Sequence, residues 1–171
     1  MFRTTANKIT LFRIALIPLF LLLCYAGRMT AALAVFVLAS LSDAADGYVA
    51  RRYKQSSTVG KFLDPLADKA LVLSALCFFI ENGQVRAWVV AAVIMRELAV
   101  SGLRLIAAER GKVIAAAWSG KVKTASTMLC ICAMLLFGEH NIVNIISEII
   151  IVTTTLFSGV HYFIVNKESF T

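Results

Sequence analysis

Charged residues are scarce in this sequence. They make up 16% of its 171 residues, whereas hydrophobic residues make up 60%. A soluble domain usually has about 25% charged and about 45–50% apolar residues. The apolar residues also form long runs rather than alternating patterns. This composition predicts an integral membrane protein, folded as a single membrane-embedded domain over residues 1–171.

Two further signals are missing. The four cysteines lie inside apolar runs, and their spacing is neither that of metal ligands nor that of a disulfide framework. We interpret them as small apolar residues of the helices. No small-residue cleavage site follows the first apolar run, so we expect this run to be a retained membrane span rather than a signal peptide.

The apolar runs predict an all-α fold of six transmembrane helices, because about 20 apolar residues cross the hydrocarbon core of a bilayer. A short amphipathic helix at residues 2–8 is expected to precede them on the membrane surface. The six spans are expected at about 9–25, 30–51, 60–80, 87–108, 118–137 and 142–165.

The basic residues indicate the orientation of the spans. The net charge is +7, and most Lys and Arg residues fall in loops on one side, whereas the opposite loops hold only Arg28 and Arg86. The positive-inside rule therefore predicts a multi-pass protein of the cell membrane with both termini in the cytoplasm. Clusters of this kind fit anionic lipid headgroups better than nucleic acid, which we do not expect as a partner.

The acidic residues are few and unevenly placed. Of ten in the chain, Asp43 and Asp46 lie near the end of the second span, and Asp64 and Asp68 lie near the start of the third. The spacings of three and four residues place each pair on one helical face. If the two spans are antiparallel neighbours, the four carboxylates converge just inside the cytoplasmic surface.

Four converging carboxylates repel one another in a partly dehydrated setting, and divalent cations relieve that repulsion. Carboxylate oxygens suit Mg²⁺ or Mn²⁺, and four of them can bridge two ions. The alternative is that these aspartates are helix caps or surface ion-pair partners. Ionisable residues grouped at membrane depth favour the metal site.

The same region resembles the motif of the CDP-alcohol phosphotransferase family. The matching positions are four aspartates, two glycines, an alanine and an arginine: Asp43, Asp46, Gly47, Ala50, Arg51, Gly60, Asp64 and Asp68. Flanking segments resemble one branch of that family, the phosphatidylglycerophosphate synthases. These segments are 7–13 with Pro18, 64–69, 96–104 and 120–124.

The resemblance implies a six-helix fold, usually a homodimer, with an active site open to the cytoplasm. The implied reaction joins CDP-diacylglycerol and sn-glycerol 3-phosphate, giving phosphatidylglycerophosphate and CMP. It also implies that the four aspartates hold two divalent metal ions and that Asp68 is the base for the acceptor hydroxyl. Direct transfer is expected, with a covalent aspartyl intermediate as the alternative. The residues implied to contact the cytidine nucleotide or its diphosphate are Asn7, Thr10, Asp46, Gly47, Ala50, Arg51 and Gly60.

The acceptor is doubly anionic and needs cations in its pocket. Arg104, Arg110, Lys121 and Lys123 lie at the cytoplasmic ends of the fourth and fifth spans. We assign them to the acceptor phosphate. Positive-inside topology alone is the alternative explanation for Arg110 and Lys123.

Three polar residues within the spans have no assigned role. Arg96 lies about 12 Å deeper than Arg104 along the fourth helix, and we expect Glu97 or another acid to neutralise it. His161 is interpreted as a packed, hydrogen-bonded residue. Glu148 lies inside the sixth span, and the sequence leaves its partner open.

Two other functions are also consistent with part of this sequence pattern. The first is the same chemistry with serine, inositol phosphate or phosphatidylglycerol as acceptor. These acceptors would keep the eight-residue motif and differ in the cation pocket, because a neutral or zwitterionic acceptor would not need several Arg and Lys residues there. The second is a divalent cation transporter. Transporters usually place such sites near the bilayer midplane, often on broken helices, whereas these aspartates cluster at one face.

Overall fold

The computed structural model describes the backbone of residues 5–53, 58–109 and 117–166, and the side chains of residues 11–42, 69–107, 109 and 117–166. Every regular element in these ranges is an α-helix. The helices are α1 (Thr5–Tyr25), α2 (Met29–Tyr53), α3 (Thr58–Glu81), α4 (Ala87–Glu109), α5 (Trp118–Phe137) and α6 (Asn141–Val165).

All six predicted helices are present, and their ends agree with the expected ends to within a few residues. The largest difference is at the start of the chain, where α1 begins at Thr5 and runs unbroken to Tyr25. The described part of the expected amphipathic segment is therefore the first turn of α1 rather than a separate helix. Residues 2–4 of the expected amphipathic segment lie outside the described range.

Glycine allows the chain to reverse between two pairs of helices. Gly27, between α1 and α2, has φ 72°, and Gly83, between α3 and α4, has φ 68°. Left-handed backbone of this kind costs glycine little because it has no Cβ. Both turns are consequently short.

The chain forms two compact units, residues 1–78 and 79–171, with the boundary inside α3. In the first unit α1 packs on α2, with the rings of Phe20 and Phe36 5.8 Å apart. Tyr25, at the end of α1, meets Phe78 of α3 edge to face at 5.4 Å between ring centroids. The expectation of a single membrane domain stays a prediction.

The second unit is built around α6, which packs on both α5 and α4. Contacts between Arg86 and Glu148 and between Arg96 and Ser158 show that α4 runs parallel to α6. Ser126 of α5 bonds to Thr154 of α6, and the chain reverses at Gly138 between these two helices. The α5 helix is therefore antiparallel to α6, so its beginning lies beside the ends of α4 and α6.

The polarity of α6 is the reverse of that of a helix in a water-soluble protein. Its outer surface is apolar, with Ile142, Ile149, Leu156 and Ile164 all more than half exposed. Its buried side carries most of its polar groups: Asn144, Ser147, Glu148, Thr155, Ser158 and Tyr162. In water this arrangement would expose a large apolar patch, whereas hydrocarbon would solvate it.

Length and composition mark α5 and α6 as able to cross a membrane. In α1 and α2 the described side chains form shorter apolar stretches, Leu11–Tyr25 and Met29–Ser42. Two helices of the six therefore meet this criterion within the described residues.

Candidate active site

The four predicted metal ligands lie on two consecutive helices, at matching distances from the connection between them. Asp43 and Asp46 lie ten and seven residues before the end of α2, or about 15 and 10 Å along its axis. Asp64 and Asp68 lie six and ten residues after the start of α3, or about 9 and 15 Å. If α2 and α3 pair in an antiparallel manner, the two pairs lie at one height.

The donor set fits a pair of divalent ions. Spacings of three and four residues on continuous helical backbone place both carboxylates of each pair on one face, and four carboxylates match hard cations such as Mg²⁺ and Mn²⁺. The side chains of these aspartates lie outside the described residues. The convergence of the carboxylates and the role of Asp68 as base therefore stay predictions.

The residues assigned to the cytidine nucleotide lie on three helices. Asn7 and Thr10 belong to α1, and Gly60 belongs to α3. The others belong to α2: Asp46, Gly47, Ala50 and Arg51. Their side chains also lie outside the described range, so these contacts stay predictions.

Three of the four cations assigned to the acceptor phosphate are described, and they differ in burial. Arg104 on α4 and Lys121 on α5 are exposed, whereas Lys123 is buried. Lys121 and Lys123 are two residues apart, so they point to nearly opposite sides of α5. Arg110 lies outside the described ranges. The structure thus places Lys123 inside and Lys121 on the surface, and the assignment of the four cations to the acceptor phosphate stays a prediction.

Lys123 belongs to a polar cluster in the interior of the second unit, which we call the Glu97 cluster: Arg96, Glu97, Lys123 and Ser158. Lys123 Nζ donates to Glu97 Oε1 at 2.9 Å, and Arg96 Nη1 donates to the same oxygen at 2.9 Å. Arg96 Nη2 donates to Ser158 Oγ on α6. The expectation that Glu97 neutralises Arg96 is confirmed.

The Glu97 cluster is shielded and carries a net positive charge. The side chains of Lys123, Arg96 and Glu97 are 5%, 12% and 16% exposed, respectively. Among the described side chains, two cations share one carboxylate, so these three groups have a formal charge of +1. Buried charges are costly unless they are paired and hydrogen-bonded, so an excess cation at this depth marks a place where a further anion would be stabilised.

Other contacts at the same end of the unit hold side chains in place. The guanidinium of Arg104 lies over the ring of Tyr162, 5.8 Å from its centroid, a distance at which cation–π attraction operates. Ser119 Oγ lies 3.0 Å from Nδ1 of His161, whose ring stacks on Phe157. The interpretation of His161 as a packed, hydrogen-bonded residue is confirmed.

Glu148 has its partner at the opposite end of the unit. It lies beside Arg86, whose Nη2 is 2.8 Å from Glu148 Oε2 and whose backbone N–H donates to Oε1. Arg86 directly precedes α4, so this carboxylate caps the start of that helix. Glu148 therefore belongs to the packing of the helices and lies far along α6 from the Glu97 cluster.

The pairing of Glu97 with Lys123 and the contact of Ser158 with Arg96 were not predicted from the sequence. Arg96 is the direct neighbour of Glu97 in the chain, whereas Lys123 lies 26 positions further along. A usable signal exists: Glu97 is an acid inside an apolar helix, where an ionisable residue normally has a charged partner. The sequence alone does not say which helix supplies that partner.

Comparison with known proteins agrees with the aspartate pattern. The family model described as CDP-alcohol phosphatidyltransferase matches residues 3–160. This range includes all four aspartates and the Glu97 cluster. The chain belongs to the CDP-alcohol phosphatidyltransferase family.

Named relatives cover most of the chain. A protein of Bacillus subtilis named CDP-diacylglycerol–glycerol-3-phosphate 3-phosphatidyltransferase is 43% identical, with 80% of this chain and 77% of the relative covered. A protein of the same name from Yersinia enterocolitica is 42% identical, with 78% of each chain covered. A probable phosphatidylglycerophosphate synthase of Mycobacterium tuberculosis is 34% identical over 92% of this chain and 78% of its own length.

Proposed function

We propose that this protein transfers the phosphatidyl group of CDP-diacylglycerol to sn-glycerol 3-phosphate, giving phosphatidylglycerophosphate and CMP. The observation that carries the proposal is the set of four aspartates at matching positions on α2 and α3, in a chain of the CDP-alcohol phosphatidyltransferase family. The names of its relatives agree with this reaction.

The four aspartates would hold two Mg²⁺ or Mn²⁺ ions. Bound there, such ions would neutralise charge on the diphosphate and would make CMP a better leaving group. Asp68 accepts the proton of the acceptor hydroxyl as the new oxygen–phosphorus bond forms and the bond to CMP breaks, so it keeps one oxygen free for that task.

The nucleotide half of the substrate would lie against the small residues of α2 and α3. Gly47, Ala50 and Gly60 offer backbone without bulky side chains, which lets a flat base approach closely. Arg51, Asp46, Asn7 and Thr10 supply the polar contacts in this proposal.

The acceptor phosphate would bind at the cations of α4 and α5. The buried pair of Arg96 and Lys123, with one shared carboxylate, favours an anionic acceptor over serine or another acceptor without a phosphate. Arg104, Arg110 and Lys121 would supply further positive charge nearer the surface. A phosphate dianion is well matched to such a set of donors.

The protein would act within the cell membrane. The apolar outer surface and polar interior of α6 support a lipid environment, and α5 and α6 have the length and composition of spans. We propose that all six helices cross the bilayer, that both termini and the active site face the cytoplasm, and that the protein works as a homodimer.

The competing functions are less favoured. A cation transporter does not agree with membership in a phosphatidyltransferase family. Other acceptors would preserve the aspartates. The buried cations favour an acceptor with a phosphate, and the relatives' names favour glycerol 3-phosphate among such acceptors.

The test is an acceptor comparison with purified protein in detergent micelles that contain CDP-diacylglycerol and Mg²⁺. CMP release should depend on glycerol 3-phosphate, with no release above background for serine, inositol phosphate or phosphatidylglycerol. The Asp64→Asn variant should be inactive although it reaches the membrane. Release that requires serine and ignores glycerol 3-phosphate would overturn the acceptor assignment, and an active Asp64→Asn protein would overturn the metal site.

A further inference from the structure

We propose that Glu97 is a positioning residue for acceptor binding. Its carboxylate holds the ammonium of Lys123 beside the guanidinium of Arg96 until the acceptor's anionic group arrives. This inference rests on the proposed function, because it assumes that the acceptor carries a phosphate.

The geometry places one oxygen between two cations. Glu97 Oε1 accepts from Lys123 Nζ and from Arg96 Nη1, both at 2.9 Å. The two donors reach it from different helices, Lys123 from α5 and Arg96 from α4. Glu97 is thus the group that joins the two cations.

Two buried cations side by side are unfavourable without such a group. Their mutual repulsion is strong where water is excluded, and Lys123 and Arg96 are only 5% and 12% exposed. A lysine without a counter-charge would direct its amine toward water, since its long stem is flexible. Glu97 supplies that counter-charge, and the three described groups together still have a formal charge of +1.

The two cations differ in how they are anchored. Arg96 also donates to Ser158 on α6, and glycine at 120 and 159 leaves room for its side chain. The ammonium of Lys123, within the described part of the chain, donates to Glu97. Because a flexible lysine stem loses rotamer entropy when it is fixed, holding it in advance lowers the cost of acceptor binding.

The test uses Glu97→Gln, Lys123→Met and the double variant in the CMP-release assay. Glutamine keeps the shape of the side chain and removes its charge. We expect Glu97→Gln to raise KM for glycerol 3-phosphate about tenfold, with kcat within about twofold of wild type. The double variant should have the KM of Lys123→Met alone, because Glu97 acts through Lys123 and residues that act through one another are not additive.

Glu139→Gln is the matched control, because it removes one negative charge from an exposed position in the turn after α5; its KM should equal that of wild type. An unchanged or lowered KM in Glu97→Gln would overturn the inference. Multiplicative effects of Glu97→Gln and Lys123→Met would also overturn it, because they would mean that Glu97 does not act through Lys123.

Removing one partner of a buried ion pair can prevent folding, but removing both partners leaves no unpaired charge between them. Should Glu97→Gln fail to fold, the double variant and Lys123→Met decide the question by the same comparison of KM. The wild-type protein separates the two proposals. No acceptor-dependent CMP release in wild type would refute the proposed function, whereas normal release with an unaffected Glu97→Gln variant would refute only the role of Glu97.

Discussion

Arg96 occupies space that two glycines leave open. A Cβ on Gly120 would lie 3.3 Å from Arg96 Nη2 and 4.0 Å from Ser158 Oγ, whereas a Cβ on Gly159 would lie 3.6 Å from Arg96 Cγ. The 3.3 Å distance at residue 120 is shorter than an ordinary van der Waals contact, so Arg96 would have to move. The 3.6 Å distance at residue 159 is an ordinary van der Waals contact. The position of the guanidinium therefore depends on residue 120 more than on residue 159.

These two glycines give a matched pair of variants. Gly120→Ala should push Arg96 Nη2 away from Ser158 and raise KM for glycerol 3-phosphate about threefold. This change corresponds to a loss of about 0.7 kcal/mol in binding free energy. Gly159→Ala should leave KM unchanged. Neither variant should lower thermal stability much, since alanine is favoured over glycine inside a helix by about 1 kcal/mol. Equal KM values for the two variants in the CMP-release assay would contradict this account.

The start of α4 is stabilised by a side chain from another helix. The first N–H groups of a helix have no partner within it, and the carboxylate of Glu148 on α6 accepts from the backbone N–H of Arg86. The same carboxylate accepts from the Arg86 side chain, which also lies over the Trp88 ring at 5.3 Å. Glu148 is 7% exposed in its side chain, whereas Arg86 is 64% exposed.

This difference in exposure predicts unequal effects on stability. Arg86→Ala leaves a buried carboxylate without its cation and should cost about 2–3 kcal/mol. Glu148→Gln leaves an exposed arginine that water can solvate, and an amide oxygen that still caps α4, so it should cost about 1 kcal/mol. Thermal melting of both variants in one detergent, without substrate, would measure the order. A larger loss in Glu148→Gln than in Arg86→Ala would show that the pair does not stabilise the protein in this way.

At the scale of the whole molecule, the distribution of apolar and polar side chains indicates whether lipid or water surrounds the helices. Large apolar side chains are exposed on the described parts of five helices, α1, α2, α4, α5 and α6, from Leu22 on α1 to Ile164 on α6. Half-buried polar groups of α5 and α6 bond to each other between the helices, as in Ser126 with Thr154. A lipid solvent accounts for both facts, because it accepts apolar surface and leaves polar groups no partner except each other.

A lysine placed on this surface distinguishes lipid from water. Leu156, near the middle of α6, is 58% exposed, and Ile164, near its end, is 69% exposed. In a bilayer, Leu156→Lys should cost about 2.5–3.5 kcal/mol and sharply reduce the protein recovered in washed membranes. Ile164→Lys should be tolerated because its amine can reach the interface. Equal recovery of both variants would argue against a lipid-facing α6.

Much of the fold followed from local patterns. The start and end of α5 were predicted without error, and the turns before α2 and α4 fall between the predicted spans. Apolar runs separated by polar turns carry this information because each helix satisfies its own backbone hydrogen bonds, so its limits depend on nearby residues. The aspartate pattern carried the family assignment for a similar reason, since its positions lie within two consecutive helices.

The polar contacts between helices could not be predicted in the same way. Sequence alone could not say that Lys123 turns inward to Glu97 while Lys121 faces outward, or that Glu148 pairs with Arg86 at a separation of 62 residues. These contacts depend on which helices are neighbours and how each is rotated about its axis. Helix packing decides both the neighbours of a helix and its rotation. The pattern of apolar residues predicts this packing only weakly in a protein whose polar groups face the interior and whose apolar groups face outward.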